Sequence, residues 1–269
     1  MAYITKISAQ EKNKDRVNVF LDDKYAFSVE LDVVAQFNLR KGKELDDLQI
    51  EEIRFADDVK KGFHKAIGYL SFRMRSEKEV RDFLAKKEVS FSASTEIIHR
   101  LKELNYLNDA SFAEAYVSTH RKTNRKGPAV LKRELKEKGI SEETITDALQ
   151  TFSFEDQMEE AKVLAQKFLK KGKKVSTKET SQLIQQQLAR KGFPFNVINA
   201  VLDEIEFENN EEEEQEVLTL HAEKAMKKYK YDGTFEKKMK VKQFLFRKGF
   251  DADMIESFLE KREDHGEKI

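Results

Sequence analysis

Apolar positions along the chain repeat with a period of about fifty residues. Four short amphipathic stretches share one ending, a leucine followed within three residues by a basic residue and, in three of them, by Lys-Gly and a large apolar residue. The leucines that mark these endings are spaced by 51, 53 and 57 residues; they are Leu84, Leu135, Leu188 and Leu245. A period of this size predicts an array of similar helical units rather than one globule.

The endings predict how each stretch stops. Gly139, Gly192 and Gly249 stand where a helix closes in a left-handed turn, which glycine enters without a Cβ penalty. The lysine before each glycine places a positive charge near the last carbonyls of its helix. The first stretch has Glu88 at the glycine position, so we expect a differently built turn there, with the loop Ser90–Ser94 taking part.

A second helical pattern follows each ending, and a third follows in three of the four cases. The predicted fold is therefore mainly α, an elongated array of about three three-helix units and a partial fourth, with a small N-terminal antiparallel β meander. The predicted limits are 1–60 for the N-terminal extension, 61–125, 126–174 and 175–231 for the units, and 232–269 for the partial unit and its charged tail.

The first sixty or so residues alternate apolar and polar positions, which favours strands. The predicted strands are Tyr3–Ile7, Arg16–Leu21 and Tyr25–Val29. A short helix over Leu31–Phe37, a turn, and a long helix from Ile50 to about Arg75 are expected to follow. Ser76, with Glu79 three residues later, predicts a capping box for the next helix.

Composition agrees with a helical chain that has few irregular loops. Charged residues make up 37% and hydrophobic residues 39%, with only two prolines. Cysteine is absent, which excludes disulfides and thiolate metal ligands. No stretch approaches the length of about 20 apolar residues that crosses a bilayer. We expect a cytoplasmic protein that does not contact membranes.

The net charge of zero hides segregated charge. The segment 121–138 holds eight basic and two acidic residues, and 162–191 holds nine basic and one acidic. Such blocks are either solvated helix faces or a surface for phosphates or an acidic protein. Because they recur at matching places in the repeat, we favour the second interpretation.

Signals for an enzyme are poor. There is no phosphate-binding glycine motif, and the five histidines lie far apart without metal-ligand spacing. We expect no enzyme activity, no catalytic residue, no metal and no cofactor. Most of the 20 phenylalanines are expected in cores, with Phe246 a candidate contact residue.

Three segments resemble the RecX family of recombination regulators. They are Leu70–Lys87, Leu104–Arg121 and Lys126–Ile140, and together they cover about residues 64 to 150. The length is similar to that of the longer, Gram-positive members, which have an N-terminal extension and a fourth repeat. The chain departs from the family pattern at Asn105 and Glu88, where glycine is usual, and both departures fall in turns.

The resemblance implies a non-enzymatic modulator of the RecA recombinase. Members are elongated, all-helical, and bind the groove of the RecA–DNA filament, where they inhibit strand exchange and ATP hydrolysis. We expect the same of this chain, acting as a monomer that also contacts single- or double-stranded DNA. The alternatives are a helical repeat protein that binds DNA directly and a passive repeat scaffold.

The candidate contact residues are selected basic residues around the first three units. They are Arg73, Arg75 and Arg81; Arg121, Lys122, Arg125, Lys126, Lys132 and Arg133; and Lys170, Lys171, Lys173, Lys174, Arg190 and Lys191. Arg73 and Arg75 either contact the partner or pack against the cap of the next helix. Reversing the charges of Lys126, Lys132 and Arg133 should weaken binding without unfolding the chain.

Overall fold

A computed structural model describes residues 1–11, 13–169, 175–205 and 211–264. The described residues form two compact units, one of residues 1–113 with 135–145 and the other of 114–134 with the described residues from 146 onward. In both units helices predominate, and the first also carries an N-terminal sheet. The predicted mainly α class is confirmed.

The sheet is antiparallel and opens the first unit. Strands β1 (Ala2–Ala9), β2 (Arg16–Leu21) and β3 (Lys24–Glu30) confirm the predicted meander. A fourth strand, β4 (Glu44–Leu45), pairs with β1 and gives the order β3-β2-β1-β4. The sequence did not predict β4, because two residues are too few to show alternation.

One face of the sheet builds a core with the helices that follow it. Val17 and Val19 lie opposite Val29 and Phe27, and all four are buried. Helix α1 (Leu31–Gln36) and the start of helix α2 (Asp47–Leu70) cover this face. The alternation of the strands therefore sets which residues enter the core.

Helix α2 ends at Leu70, five residues before the predicted end. The Ser71 hydroxyl donates to the carbonyl of Gly68 and competes with the helical pattern. Arg75 then places its guanidinium 4.0 Å from the ring centre of Tyr69. The segment 71–75 is thus a loop that folds back on the helix it follows.

The remaining helices are short and closely spaced. They are α3 (Glu77–Lys86), α4 (Phe91–Glu103), α5 (Asp109–Asn124), α6 (Pro128–Glu137), α7 (Glu142–Gln150), α8 (Phe154–Leu169), α9 (Thr177–Lys191), α10 (Phe195–Glu204), α11 (Glu211–Tyr229), α12 (Phe235–Arg247) and α13 (Ala252–Asp264). In the first unit α2 packs on α3 and α4; in the second, α8 packs on α9 and α10, and α12 lies against α11 and α13. A longer helix lies between successive helix pairs, and it can be counted as the third helix of either neighbouring repeat. The limits of the units given above therefore stay a prediction.

The repeated ending forms the same turn four times. The backbone N–H of the large apolar residue donates to the carbonyl of the leucine five residues earlier; the pairs are Val89–Leu84, Ile140–Leu135, Phe193–Leu188 and Phe250–Leu245. Gly139, Gly192 and Gly249 have φ between +81° and +89°, as predicted. Glu88 occupies the same left-handed region at φ +60°, so the expectation of a different turn was wrong.

Candidate partner surface and the helix junctions

We call α3, α6, α9 and α12 the first helices, because each opens a helix pair. The C-terminus of α6 meets the N-terminus of α3. Ser76 caps α3 by accepting from the N–H of Glu79, and its hydroxyl donates to the carbonyl of Lys138 at 2.8 Å. The ammonium of Lys138 lies 3.1 Å from the Glu79 carboxylate. Carbonyls that a helix end leaves unpaired are thus satisfied by groups at another helix's start. We call this an end-to-end junction.

Glu79 is the electrostatic centre of that junction. It completes the predicted capping box by accepting from the N–H of Ser76, and it pairs with Arg73 at 2.9 Å. Burial by itself raises the pKa of Glu79. The hydrogen bonds from Arg73, Ser76 and Lys138 outweigh burial and lower the pKa from 4.5 to about 2.

The junction recurs where the end of α12 meets the start of α9. Ser176 accepts from the N–H of Glu179, and its hydroxyl donates to the carbonyl of Lys248 at 2.5 Å. The ammonium of Lys248 lies 3.2 Å from Glu179. Serine, glutamate and lysine therefore make the same contacts in both junctions.

A third junction joins the end of α9 to the start of α6, mainly through backbone hydrogen bonds. The N–H of Gly127 donates to the carbonyl of Lys191 at 2.7 Å, and the N–H of Ala129 donates to that of Gly192 at 3.1 Å. The Lys191 ammonium donates to the carbonyl of Asn124. Gly127 takes the serine position here, and a Cβ on it would lie 2.4 Å from the backbone carbon of Gly192.

The junctions explain the glycines and the exception. A Cβ at Gly139 would lie 2.9 Å from the Lys78 Cβ, and one at Gly192 would lie 2.6 Å from the backbone nitrogen of Val130. Glycine is therefore needed for close approach as well as for φ. Glu88 is exposed, so only its backbone is strained.

The three predicted contact arginines of the first unit are engaged within it. Arg73 pairs with Glu79, and Arg81 pairs with Glu77 at 2.7 Å. Arg75 stacks on Tyr69, whose ring lies 4.1 Å from and parallel to that of Phe83. The contact with Glu79 supports packing against the next helix's cap for Arg73, whereas Arg75 packs on Tyr69 of the preceding helix.

At the start of the second unit, three more candidates hold helices together. Arg121 pairs with Asp156 at 2.5 Å, and Arg125 pairs with Glu160. The Lys126 ammonium donates to both carboxylate oxygens of Glu134, at 2.7 and 2.8 Å.

Glu134 also accepts from the hydroxyl of Tyr116. Burial alone raises the pKa of Glu134, but the bonds from Lys126 and Tyr116 bring it below its usual range. A charge reversal at Lys126 would therefore disturb the fold as well as any binding surface.

Of the other predicted residues, four are exposed and four lie outside the described residues. Lys122, Lys132, Arg133 and Arg190 are exposed. Within the part of the chain that the structure describes, Lys122, Arg133 and Arg190 form neither hydrogen bonds nor ion pairs. Lys170, Lys171, Lys173 and Lys174 lie outside the described residues. Among the described residues, Lys122, Arg133 and Arg190 are therefore the predicted cations that remain for a partner.

The sequence did not predict the buried carboxylate of Asp57, which ties the sheet to α2. Asp57 is 2% exposed and accepts from Arg16 at 2.9 and 3.2 Å, from the N–H of Glu30, and from Lys61 at 2.6 Å. Burial raises its pKa, but the bonds from Arg16 and Lys61 hold it below the usual range. Since Arg16 and Asp57 are 41 residues apart, no local pattern predicts their pairing.

Among residues 1–11, 13–169, 175–205 and 211–264, no group of three or more metal-ligating side chains is assembled. The described helices include none long and apolar enough to span a bilayer.

Sequence comparisons match nearly the whole chain to one family. The model of the regulatory protein RecX N-terminal domain matches residues 2–46, and the RecX first and second three-helix domain models match 63–101 and 108–149. The third three-helix domain model matches twice, over 155–202 and 211–259. The chain belongs to the RecX family.

Relatives agree with the domain matches. A regulatory protein RecX from Bacillus subtilis (strain 168) is 61% identical over 263 residues, covering 98% of this chain and 100% of the relative. One from Bacillus licheniformis is 62% identical and covers 97% and 100%. One from Listeria welshimeri is 43% identical and covers 97% of both chains.

Two solved structures of the family are also similar. A crystal structure of regulatory protein RecX has a TM-score of 0.66 at 38% identity, covering 76% of this chain and 100% of the other. A crystal structure of RecX from Lactobacillus salivarius has a TM-score of 0.53 at 36% identity, covering 55% and 97%. Three-helix RecX domains are thus found in this chain both by sequence and by fold.

Proposed function

We propose that the chain is a non-enzymatic regulator that binds the RecA–DNA filament in its groove and inhibits strand exchange and ATP hydrolysis. Membership of a family whose relatives are named regulatory proteins supports a regulatory role. The basic blocks support an acidic or phosphate-bearing partner. RecA and DNA come from the family resemblance and are the part that needs testing.

The observation that carries the proposal is the exposed cationic set. Five of the predicted arginines and lysines pair with carboxylates of the same unit, whereas Lys122 and Arg133 are exposed and unpaired within the described residues. An arginine can fork onto a carboxylate or a phosphate, so Arg133 is the strongest single candidate.

The test is a double charge reversal, Lys122→Glu with Arg133→Glu. Its control is Lys14→Glu with Lys65→Glu, which makes the same change of charge at two exposed lysines elsewhere. Binding is measured by fluorescence anisotropy on naked and on RecA-coated single-stranded DNA at several salt concentrations. RecA ATP hydrolysis is measured in parallel.

We expect the first variant to bind coated DNA at least about tenfold more weakly and to inhibit hydrolysis less, while the control behaves as the wild type. Equal loss in both variants would show a nonspecific charge effect and refute the proposed face. Equally tight binding to naked and coated DNA would favour the alternative, a protein that binds DNA directly.

A further inference from the structure

The end-to-end junctions leave two helix termini without a partner helix in the described chain. The ends of α6, α9 and α12 each meet the start of another first helix, whereas no helix start is bonded to the end of α3 within the described residues. In turn, α3, α6 and α9 each receive a helix end at their start, and α12 receives none among those residues. We call residues 85–88 the free end and residues 232–237 the free start.

Both termini are open to solvent. Residues 85–88 are all exposed. Thr234, the N-cap of α12, is exposed as well, whereas Ser76 and Ser176, which cap α3 and α9 inside junctions, are fully buried. A second copy of the chain therefore has access to the free end of one molecule and the free start of another. Such a head-to-tail contact builds rings or open filaments, because the two surfaces differ.

The free end differs from the other three helix ends at one position. Glu88 stands where they have glycine. A Cβ at Gly139 would lie 2.9 Å from the Cβ of Lys78, the second residue of the helix docked there, and one at Gly249 would lie 3.0 Å from that of Lys178, the second residue of α9. Glu88 has this Cβ and a carboxylate beyond it, so a helix start docked in the same way would collide with its side chain.

Glu88 keeps its side chain at a cost in strain. It occupies the left-handed region at φ +60°, where glycine would be unstrained. Within the described residues its side chain forms neither a hydrogen bond nor an ion pair. A contact inside the molecule therefore does not explain why the position is not glycine, whereas exclusion of a further helix does.

The free start lacks the groups that form a junction. In the two serine junctions, the N-cap hydroxyl donates to a carbonyl of the arriving helix, and the glutamate three residues later binds its lysine. In α12 the Thr234 hydroxyl donates to Asp232 of its own loop at 2.6 Å. The position of the glutamate is Lys237, which pairs with Asp232 at 2.6 Å. An arriving lysine would thus meet a lysine.

The other charges near the two termini do not compensate. The free end holds Lys86, Lys87 and Glu88, and of these Lys87 takes the position of the arriving lysine. Glu236, the second residue of α12, would face Glu88. It already pairs with Lys240 at 2.6 Å, so a diagonal pair with Lys87 adds little at such an exposed site.

We propose that the free end and the free start are junction surfaces from which Glu88 and Lys237 exclude a second copy of the chain. Glu88 prevents the close approach that the glycines allow, and Lys237 removes the carboxylate that would bind the arriving lysine. These two residues thereby keep copies of the chain from joining head to tail. This role is independent of the proposed function.

Two variants restore the termini one at a time. The end variant is Glu88→Gly. The start variant combines Asp232→Ala, Thr234→Ser and Lys237→Glu, which releases the N-cap hydroxyl and places a carboxylate where the serine junctions have one. Sedimentation equilibrium of the full chain, from about 0.05 to 1 mM, gives the average mass. We expect the wild type and each variant alone to stay monomeric, because at least one terminus remains blocked.

The two variants should associate with each other. An equimolar mixture should form a one-to-one complex with a Kd of about 0.1 to 1 mM, a weak contact because a single junction is small. The variant with all four substitutions should form longer assemblies whose mass rises with concentration. Glu88→Ala is the matched control: it removes the same charge but keeps a Cβ, so its mixture with the start variant should associate at least about fivefold more weakly.

Three outcomes would overturn the proposal. One is a wild type whose mass rises with concentration as steeply as that of the fourfold variant. Another is a mixture that stays monomeric up to about 1 mM. The third is equal association of the Glu88→Ala and Glu88→Gly variants with the start variant, since close approach would then be irrelevant. Circular dichroism checks that each variant keeps its helices; if the fourfold variant unfolds, the mixture still decides.

Discussion

Lys138, the residue after α6, forms an ion pair with Glu79 of the α3 capping box at 3.1 Å. Lys248 and Glu179 repeat the pair at 3.2 Å. The sequence pattern predicts that the lysine of the repeated ending lies near the last carbonyls of its own helix. Its ammonium in fact reaches the start of another helix, so at these two places it serves the fold.

Removing the charge of Lys138 should weaken this junction. Lys138→Met keeps most of the apolar stem but leaves Glu79 with Arg73 alone among its cations, so the free energy of unfolding should fall by about 1 kcal/mol. Lys136→Met is the control, because Lys136 pairs with Glu142 at an exposed site; it should change stability by less than about 0.5 kcal/mol. Urea denaturation followed by circular dichroism measures both. Equal losses in the two variants would contradict the structural role.

The Glu79 carboxyl should make stability depend on acid pH. Because its folded pKa is about 2 and its ordinary value is 4.5, its contribution is complete above about pH 4.5 and is lost as the pH falls towards 2. The stability difference between wild type and Glu79→Gln should therefore be constant near neutrality and shrink over that range. A difference that does not change with pH would show that the charge of Glu79 is unimportant.

Gly127 should not tolerate a side chain. A Cβ there would lie 2.4 Å from the backbone carbon of Gly192, which cannot move aside as a side chain can. Gly127→Ala should cost about 1 to 3 kcal/mol. Gly68→Ala is the matched control, since a Cβ at Gly68 in α2 meets no atom within 4 Å. It should stabilise the chain by about 0.5 to 1 kcal/mol. Thermal and urea unfolding together test the opposite signs.

Glu88→Gly should stabilise the protein. It removes a left-handed strain of about 1 to 2 kcal/mol, partly offset by the greater freedom of glycine in the unfolded chain, for a net gain of about 0.5 to 1 kcal/mol. Glu103→Gly, inside the last turn of α4, should lose a similar amount. If Glu88→Gly were destabilising, a side-chain contact of Glu88 would have to outweigh the strain.

Asp57→Asn should loosen the sheet from α2. The change leaves the largely buried Arg16 with only the more distant Glu30, at 3.8 Å, as its counter-charge, and this loss should cost about 3 kcal/mol. Asp58→Asn, next to it but 67% exposed, should cost less than about 1 kcal/mol. Hydrogen exchange of β2 and β3 amides should rise in the first variant only. Unchanged protection in that variant would contradict the proposed tie.

The sequence predicted features that depend on residues close to one another along the chain. Ser76 and Glu79 are three residues apart, and each left-handed glycine follows its helix within one turn. The capping box and the glycine turns were therefore predicted correctly. The partners of a junction are not local: Lys138 lies 59 residues from Glu79, and nothing in either neighbourhood indicates the other.

The same distinction governs the candidate site. Charge blocks show where cations are dense, but not which cations already have carboxylate partners. Arg121 and Asp156 are 35 residues apart, so their pairing emerges only from the fold. The predicted contact set therefore includes cations that the fold has already paired with carboxylates. The turn at Glu88 could not be predicted, because a left-handed strain of about 1 to 2 kcal/mol disfavours a non-glycine residue there without excluding it.

Helix α9 bears an end-to-end junction at each of its ends, through Ser176 at one and through Lys191 and Gly192 at the other. One extra residue inside it would turn one end about 100° relative to the other and lengthen it by about 1.5 Å. Insertions and deletions in natural variants should therefore be excluded from α9. They should collect instead in the exposed loop between α11 and α12, around residues 232–234, where added length leaves both junctions in place.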